Sequence, residues 1–238
     1  MMKKQFLLLL LLCGGVELSA QTVVQQFAAI SAGEATTSDM DLEPTAKGST
    51  LIGMPLELTP GVKVLSVTDN APAGGNTYKL ASGARSSCPE GLLDIWYCEN
   101  CNPGVSELQF HLSSHTKASL NSFLEVSNLT STSVLDGDGE QLSSGIANSG
   151  GQEVGPKITT TATDFIVARF FSTAPYPTGV TPAPWVFKPS YAYILNAPPG
   201  TYQPILTGGK AGDTFCMSVA AFKIAGSVAS PQSDKKKH

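Results

Sequence analysis

The sequence predicts an all-β protein, a single antiparallel β-sandwich of jelly-roll or Greek-key type with long Ser/Thr/Gly/Pro-rich loops. Three observations carry this. Glycine (23) and proline (16) are frequent while charged residues are only 14% of the chain, a composition suited to short strands joined by turns rather than to helices. Apolar residues recur with a period of two, most plainly in 105–112, where Leu108, Phe110 and Leu112 share one face and Glu107, Gln109 and His111 the other. No internal repeat or linker interrupts residues 50–224.

The elements follow in chain order. Residues 1–20 combine the basic Lys3 and Lys4, an apolar stretch from Phe6 to Leu12, and Leu18-Ser19-Ala20 ahead of Gln21, the layout of a secretory signal peptide. The mature chain is therefore expected to be secreted or held at the cell surface, and no later stretch has the apolar length of a membrane span. Cys13 is the alternative lipid-anchor site, but Leu12 stands where a lipobox carries Gly or Ala, so cleavage after Ala20 is the expectation. Residues 21–49 read as a short strand and a polar loop, 50–226 as the sandwich, and 227–238 as a basic polar tail. Within the sandwich, strands are expected at 50–57, 61–68, 77–80, 92–98, 105–112, 118–129, 164–172, 191–195, 201–206 and 213–224. The 92–98 and 105–112 strands read as a hairpin, 164–172 as a central strand, and 131–157 and the proline-rich 173–189 as loops.

Loss of residues 1–20 leaves thirteen Lys and Arg against eighteen Asp and Glu, a negative balance that argues against a nucleic-acid partner. Four cysteines then remain: Cys88, Cys98, Cys101 and Cys216. An even count in an exported chain reads as two disulfides with three open pairings. Half a zinc knuckle and a redox CxxC are the competing readings of Cys98–Cys101, but there is no second short-spaced pair. Nor does a helix follow to lower a thiol pKa.

The candidate binding residues are aromatic. In 93–98, Asp94, Trp96 and Cys98 alternate with Leu93, Ile95 and Tyr97. If the second set is core, Trp96 lies on an open face beside the Asp94 carboxylate, an arrangement that suits a sugar ring. Trp185 and Tyr176 sit on the proline-rich excursion, where a stiff backbone could present them. Asp136, Asp138 and Glu140 crowd one glycine-rich loop and are the candidate ligands for a structural calcium, though without EF-hand spacing. His111 and His115 lack the HExxH pattern. No GxSxG, phosphate-binding or dinucleotide loop occurs, so no catalytic residue is assigned.

Three stretches, VLSVTDNAPAGGNTYKLAS (64–82), LLDIWYCENCNPGVSELQFHL (92–112), and ATDFIVARFF (162–171) with DTFCMSVAAFKI (213–224), resemble a loosely defined group of uncharacterised bacterial exported β-sandwich proteins. The matching positions are Asp69, Gly75, Asn76, Thr77 and Tyr78; Trp96, Tyr97, Cys98 and Asn100; and Val219 and Phe222. Cys98 replaces the group's usual Ala, so this member looks disulfide-reinforced. The resemblance implies fold and compartment, not chemistry. The expected function is non-catalytic binding of a polysaccharide or surface ligand. The alternative is self-association through edge strands, as in a filament subunit, with 22–50 as the pairing segment; a secreted hydrolase is the third reading.

Overall fold

The structure, a computed structural model, describes residues 21–81, 86–88, 91–138, 142–173 and 177–226, with backbone alone for 31–34, 86–88, 138 and 142–144. All regular elements among the described residues are strands, so the fold is all-β. None of the described residues forms a helix long and apolar enough to cross a membrane.

The first nine strands form one antiparallel sheet: β1 (Val23–Asp41), β2 (Thr50–Met54), β3 (Leu56–Glu57), β4 (Val64–Asp69), β5 (Lys79–Leu80), β6 (Ser86–Cys88), β7 (Gly91–Leu93), β8 (Trp96–Cys98) and β9 (Glu107–Val126). The spine is β9. On one edge it pairs with β1 from Val23↔Val126 to Asp41↔Glu107. Its other edge is shared by β4 against Leu108–Leu112, β3 at Ser119 and β2 against Ser122–Val126. Pro55, with no N–H to donate, separates β2 from β3. Outward from these, β8 and β5 follow β2, and β7 and β6 follow β3.

Several expectations are corrected here, the first being the short strand and polar loop expected over 21–49: β1 is one long strand that runs to Asp41 along β9. Residues 92–98 are not one strand, because Asp94 and Ile95 carry the chain from β7 beside β3 to β8 beside β2. No hairpin joins 92–98 to 105–112, since β8 pairs with β2 and β5. The strand expected at 105–112 instead runs on through the one expected at 118–129 as the single β9.

The second half contributes β10 (Leu135–Asp138), β11 (Leu142–Ile146), β12 (Glu153–Val154), β13 (Ile158–Thr160), β14 (Asp164–Ser172), β15 (Gly179–Thr181), β16 (Val186–Phe187), β17 (Tyr191–Ala197), β18 (Gly200–Tyr202), β19 (Ile205–Thr207) and β20 (Thr214–Lys223). A six-stranded sheet places β10 and β11 on β20, then β14, β17 and β16. Smaller ladders join β12–β19–β15 and β13–β18. The apolar β14 is central, as its composition predicts. The segments 131–157 and 173–189, expected as loops, carry β10–β12 and β15–β16.

The core lies on both faces of the first sheet. Ile52, Tyr97, Leu124 and Val126 pack against Phe165, Val167, Tyr193 and Phe222 of the six-stranded sheet. On the opposite face, Leu51, Trp96 and Phe123 meet Val67, Leu108 and Phe110, so residues from both halves of β9 enclose one apolar cluster and the sheet curls around it. Gly53 makes room inside the curl: a Cβ there would stand 3.1 Å from the Phe110 ring. Because β2 and β8 are covered on both faces, their alternation no longer separates a wet face from a dry one.

The Asp69–Tyr78 turn of the resemblance is a hydrogen-bonded lock. Asp69 Oδ2 accepts from Tyr78 Oη and Asn76 Nδ2, both at 2.7 Å, and Oδ1 accepts from the Ala71 and Asn76 backbone N–H groups. Burial, together with this carboxylate, pushes the Tyr78 phenol well above its ordinary pKa.

Candidate functional site

The structure disperses the residues singled out from sequence. Trp96 and Asp94 are not on an open face: Trp96 is 8% exposed inside the curl, and its Nε1 donates to Asp94 Oδ2 at 3.1 Å with Asp94 fully buried. Over 95–98 the side chains do alternate, with Ile95 and Tyr97 on one side of the sheet and Trp96 and Cys98 on the other, but the curl covers the Trp96 face as well. Trp185 is half-buried and packs beneath the proline-rich excursion against the clusters around Ile166 and Phe170. It covers the core margin, and Trp185→Ala is expected to lower stability by ~1–2 kcal/mol, read from the urea midpoint. Tyr176 lies outside the described residues.

Cys98 and Cys101 form a disulfide with each other, closing the turn after β8, and both are buried against the curl's core. In this oxidised form the pair is a staple and offers a metal no thiolate. Cys216 is disulfide-bonded too; the side chain of Cys88 lies outside the described ones, on the strand β6 that packs against β20.

Asp136 turns inward. It accepts hydrogen bonds from Thr161 N at 2.6 Å and Thr161 Oγ1 at 2.8 Å, and Lys223 Nζ lies 3.6 Å away. Its neighbour is the fully buried Asp164. Burial, then the charge of Asp136 and the hydrogen bond to it, push Asp164 up to about 8, so its own proton joins the two carboxyls. Burial also works against the Asp136 charge, but the Thr161 hydrogen bonds, the Asp164 hydrogen bond and Lys223 together outweigh it and hold that carboxyl below its ordinary value. The side chains of Asp138 and Glu140 lie outside the described residues. No group of three or more His, Cys, Asp or Glu gathers as a metal site among the described residues. His111 hydrogen-bonds Thr68 Oγ1 at 2.8 Å.

What the fold leaves open is an edge. β1 pairs with β9 on one side only, and its outer edge has no ladder partner among the described residues. Two of the large exposed hydrophobic residues lie on it, Ile30 (77%) and Val24 (49%). Residues 22–33 contain neither a charge nor a proline, the devices that usually keep such an edge from pairing. Beneath its outward side chains runs a groove of about 320 Å³, walled by Ala28, Ile30, Leu120, Pro189 and Tyr191, with Lys188 at its rim. A second recess of about 360 Å³ continues it past Leu120 and Pro189 to Phe170 and Phe171.

The two walls of the groove are tied together by a buried cation. Arg169, fully buried in the centre of β14, donates from Nη1 to the Ser190 carbonyl at 2.7 Å and from Nη2 to the Leu120 carbonyl at 2.6 Å. It thus ties one wall, on the first sheet, to the other, on the second. Burial pulls the guanidinium down to about 9. Ser122 and Ser190 share a hydroxyl hydrogen bond at 3.1 Å, and Tyr191 Oη donates to Gln26 Oε1 at 3.1 Å. An apolar trough beside a free backbone edge suits an extended chain: the edge supplies main-chain hydrogen bonds and the trough takes alternate side chains. Arg169 was missed in the sequence, although a lone charge inside the apolar run FIVARFF was the available signal.

No protein-family model, curated protein or solved structure matches this chain.

Proposed function

We propose that this chain is a non-catalytic exported recognition or assembly protein that takes an extended polypeptide as an added strand on the outer edge of β1. The observation that carries the reading is the uncharged, proline-free edge, with Val24 exposed on it and Ile30 exposed at the wall of an apolar groove. Burying a side chain as exposed as Ile30 contributes ~1–2 kcal/mol, on top of the main-chain ladder. Export and kinship with exported bacterial β-sandwich proteins belong to the proposal as expectations from the leader and the motifs. Binding of a polysaccharide through exposed aromatics draws less support, since Trp96 is inside the curl and Trp185 is half-buried.

The test uses a fluorescent peptide with the sequence of residues 22–33, alongside a scrambled copy and a soluble polysaccharide panel. The expected result is a rise in anisotropy with the native-sequence peptide, slowed amide exchange across 25–32, and at least ~10-fold weaker binding by Ile30→Lys. Polysaccharide binding with no peptide binding would overturn the strand-addition reading.

A further inference from the structure

We propose that the occupant of this edge is a second copy of the chain, its β1 paired antiparallel with this one about a two-fold axis at Ala28. The inference rests on the strand-addition reading above and names its partner. The β1–β9 ladder runs without a register shift from Gln25 to Ala32, and irregularities bound that run at Val23/Gln25 and Ala32/Ala35. An added strand has to match a regular run of this length between two breaks, and a second β1 does so by symmetry.

Directly opposed residues of an antiparallel pair share a face, which restricts the axis to a residue rather than a gap between residues. An axis at Ala28 sits near the middle of the regular run. It sets Ala28 against Ala28 of the partner subunit and Gln26 against Ile30 of the partner subunit. The smallest side chain of the pattern then falls where the two copies approach most closely. Ile30 lies across from the methylene stem of a glutamine rather than facing water.

Charge favours this occupant over a charged peptide. The exported chain carries thirteen Lys and Arg against eighteen Asp and Glu, an excess of like charge between two copies, yet residues 22–33 contribute none of it. Two copies meet there without repulsion, whereas a strongly acidic or basic peptide finds no countercharge on the strand to fix its register.

The measurement is the molar mass by light scattering of the exported, oxidised chain across the micromolar range, for wild type, Ala28→Lys and Ala28→Asp. Ala28 is exposed, and an unchanged circular dichroism spectrum and melting temperature establish for each variant that the subunit is folded. The wild type is expected to dimerise, and each variant alone to weaken dimerisation at least ~10-fold because like charges face each other at the axis. An equal mixture of the two variants is expected to recover the dimer mass. A wild type that stays monomeric, a dimer indifferent to both substitutions, or variants that fail to rescue each other would overturn the proposal. If the wild type is monomeric while the 22–33 peptide still binds, the second copy is the wrong occupant and strand addition stands; if neither associates, both fall.

Discussion

Trp96→Ala is expected to lower the stability of the fold by ~3–5 kcal/mol, the range for emptying a large aromatic site in a packed core. The indole sits inside the curl, between Gly53 and Leu80 on the neighbouring strands, in the cluster with Leu51, Phe110 and Phe123. Backbone on two sides and the Phe110 ring limit collapse into the space left behind, which favours the upper part of that range. The substitution also takes a donor from the buried Asp94 carboxylate. Trp96→Phe separates the two effects: it keeps most of the apolar volume and removes the N–H, and should cost ~1–2 kcal/mol. Urea unfolding followed by circular dichroism measures both. Wild-type stability in Trp96→Ala would mean that the indole is not core. Any loss of ligand binding in Trp96→Ala has to be read against this destabilisation, whereas Ile30→Lys changes an exposed side chain and reports on the edge directly.

The difference between what was legible in the sequence and what was not follows the geometry of the first sheet. β14 and β20 are readable because each is a long apolar run buried on both faces, and the β9 alternation is readable over 107–112, where inward and outward residues differ in kind. The alternation of Ile95, Trp96, Tyr97 and Cys98 is legible too, but a period-two pattern tells only which residues share a face, not whether that face is covered. What covers Trp96 is the other half of β9, brought round by the curl, a long-range contact with no local sign. The open edge was half legible. The absence of charge and proline from residues 22–33 is visible in the sequence, but their pairing with β9, which leaves just one edge free, is not. The run Leu92–Cys98 misled because Asp94 looks like an outward polar residue, when its backbone marks the step between two strands and its carboxylate is satisfied inside by Trp96.

Stability is expected to fall as pH rises from about 4 to about 8, and the Asp136–Asp164 pair is the main cause. Folded Asp164 keeps its proton up to about 8, against an ordinary 3.8, because the site is buried and already holds the Asp136 charge. Between those values folding takes up a proton, so each step upward in pH favours the unfolded chain; above about 8 both states are ionised and the loss is complete. Glu57, raised by burial near Asp94, and Glu153, raised by burial and by Asp213, act with the same sign. Asp136 acts with the opposite sign. Its pKa is held low, so its contribution is present above the ordinary aspartate range and lost as pH falls below it, which places maximum stability near pH 4–5. The full Asp164 shift corresponds to ~6 kcal/mol, and a loss of ~2–4 kcal/mol between pH 5 and pH 9 is expected once water can reach the ionised pair. Asp164→Asn supplies an amide N–H to Asp136 in place of the proton and cannot titrate, so its melting temperature should stay nearly level where that of the wild type declines. A wild-type melting temperature that is flat or rises from pH 5 to pH 8 would sink the shared-proton assignment. A decline of equal slope in Asp164→Asn would move its cause to Glu57 and Glu153.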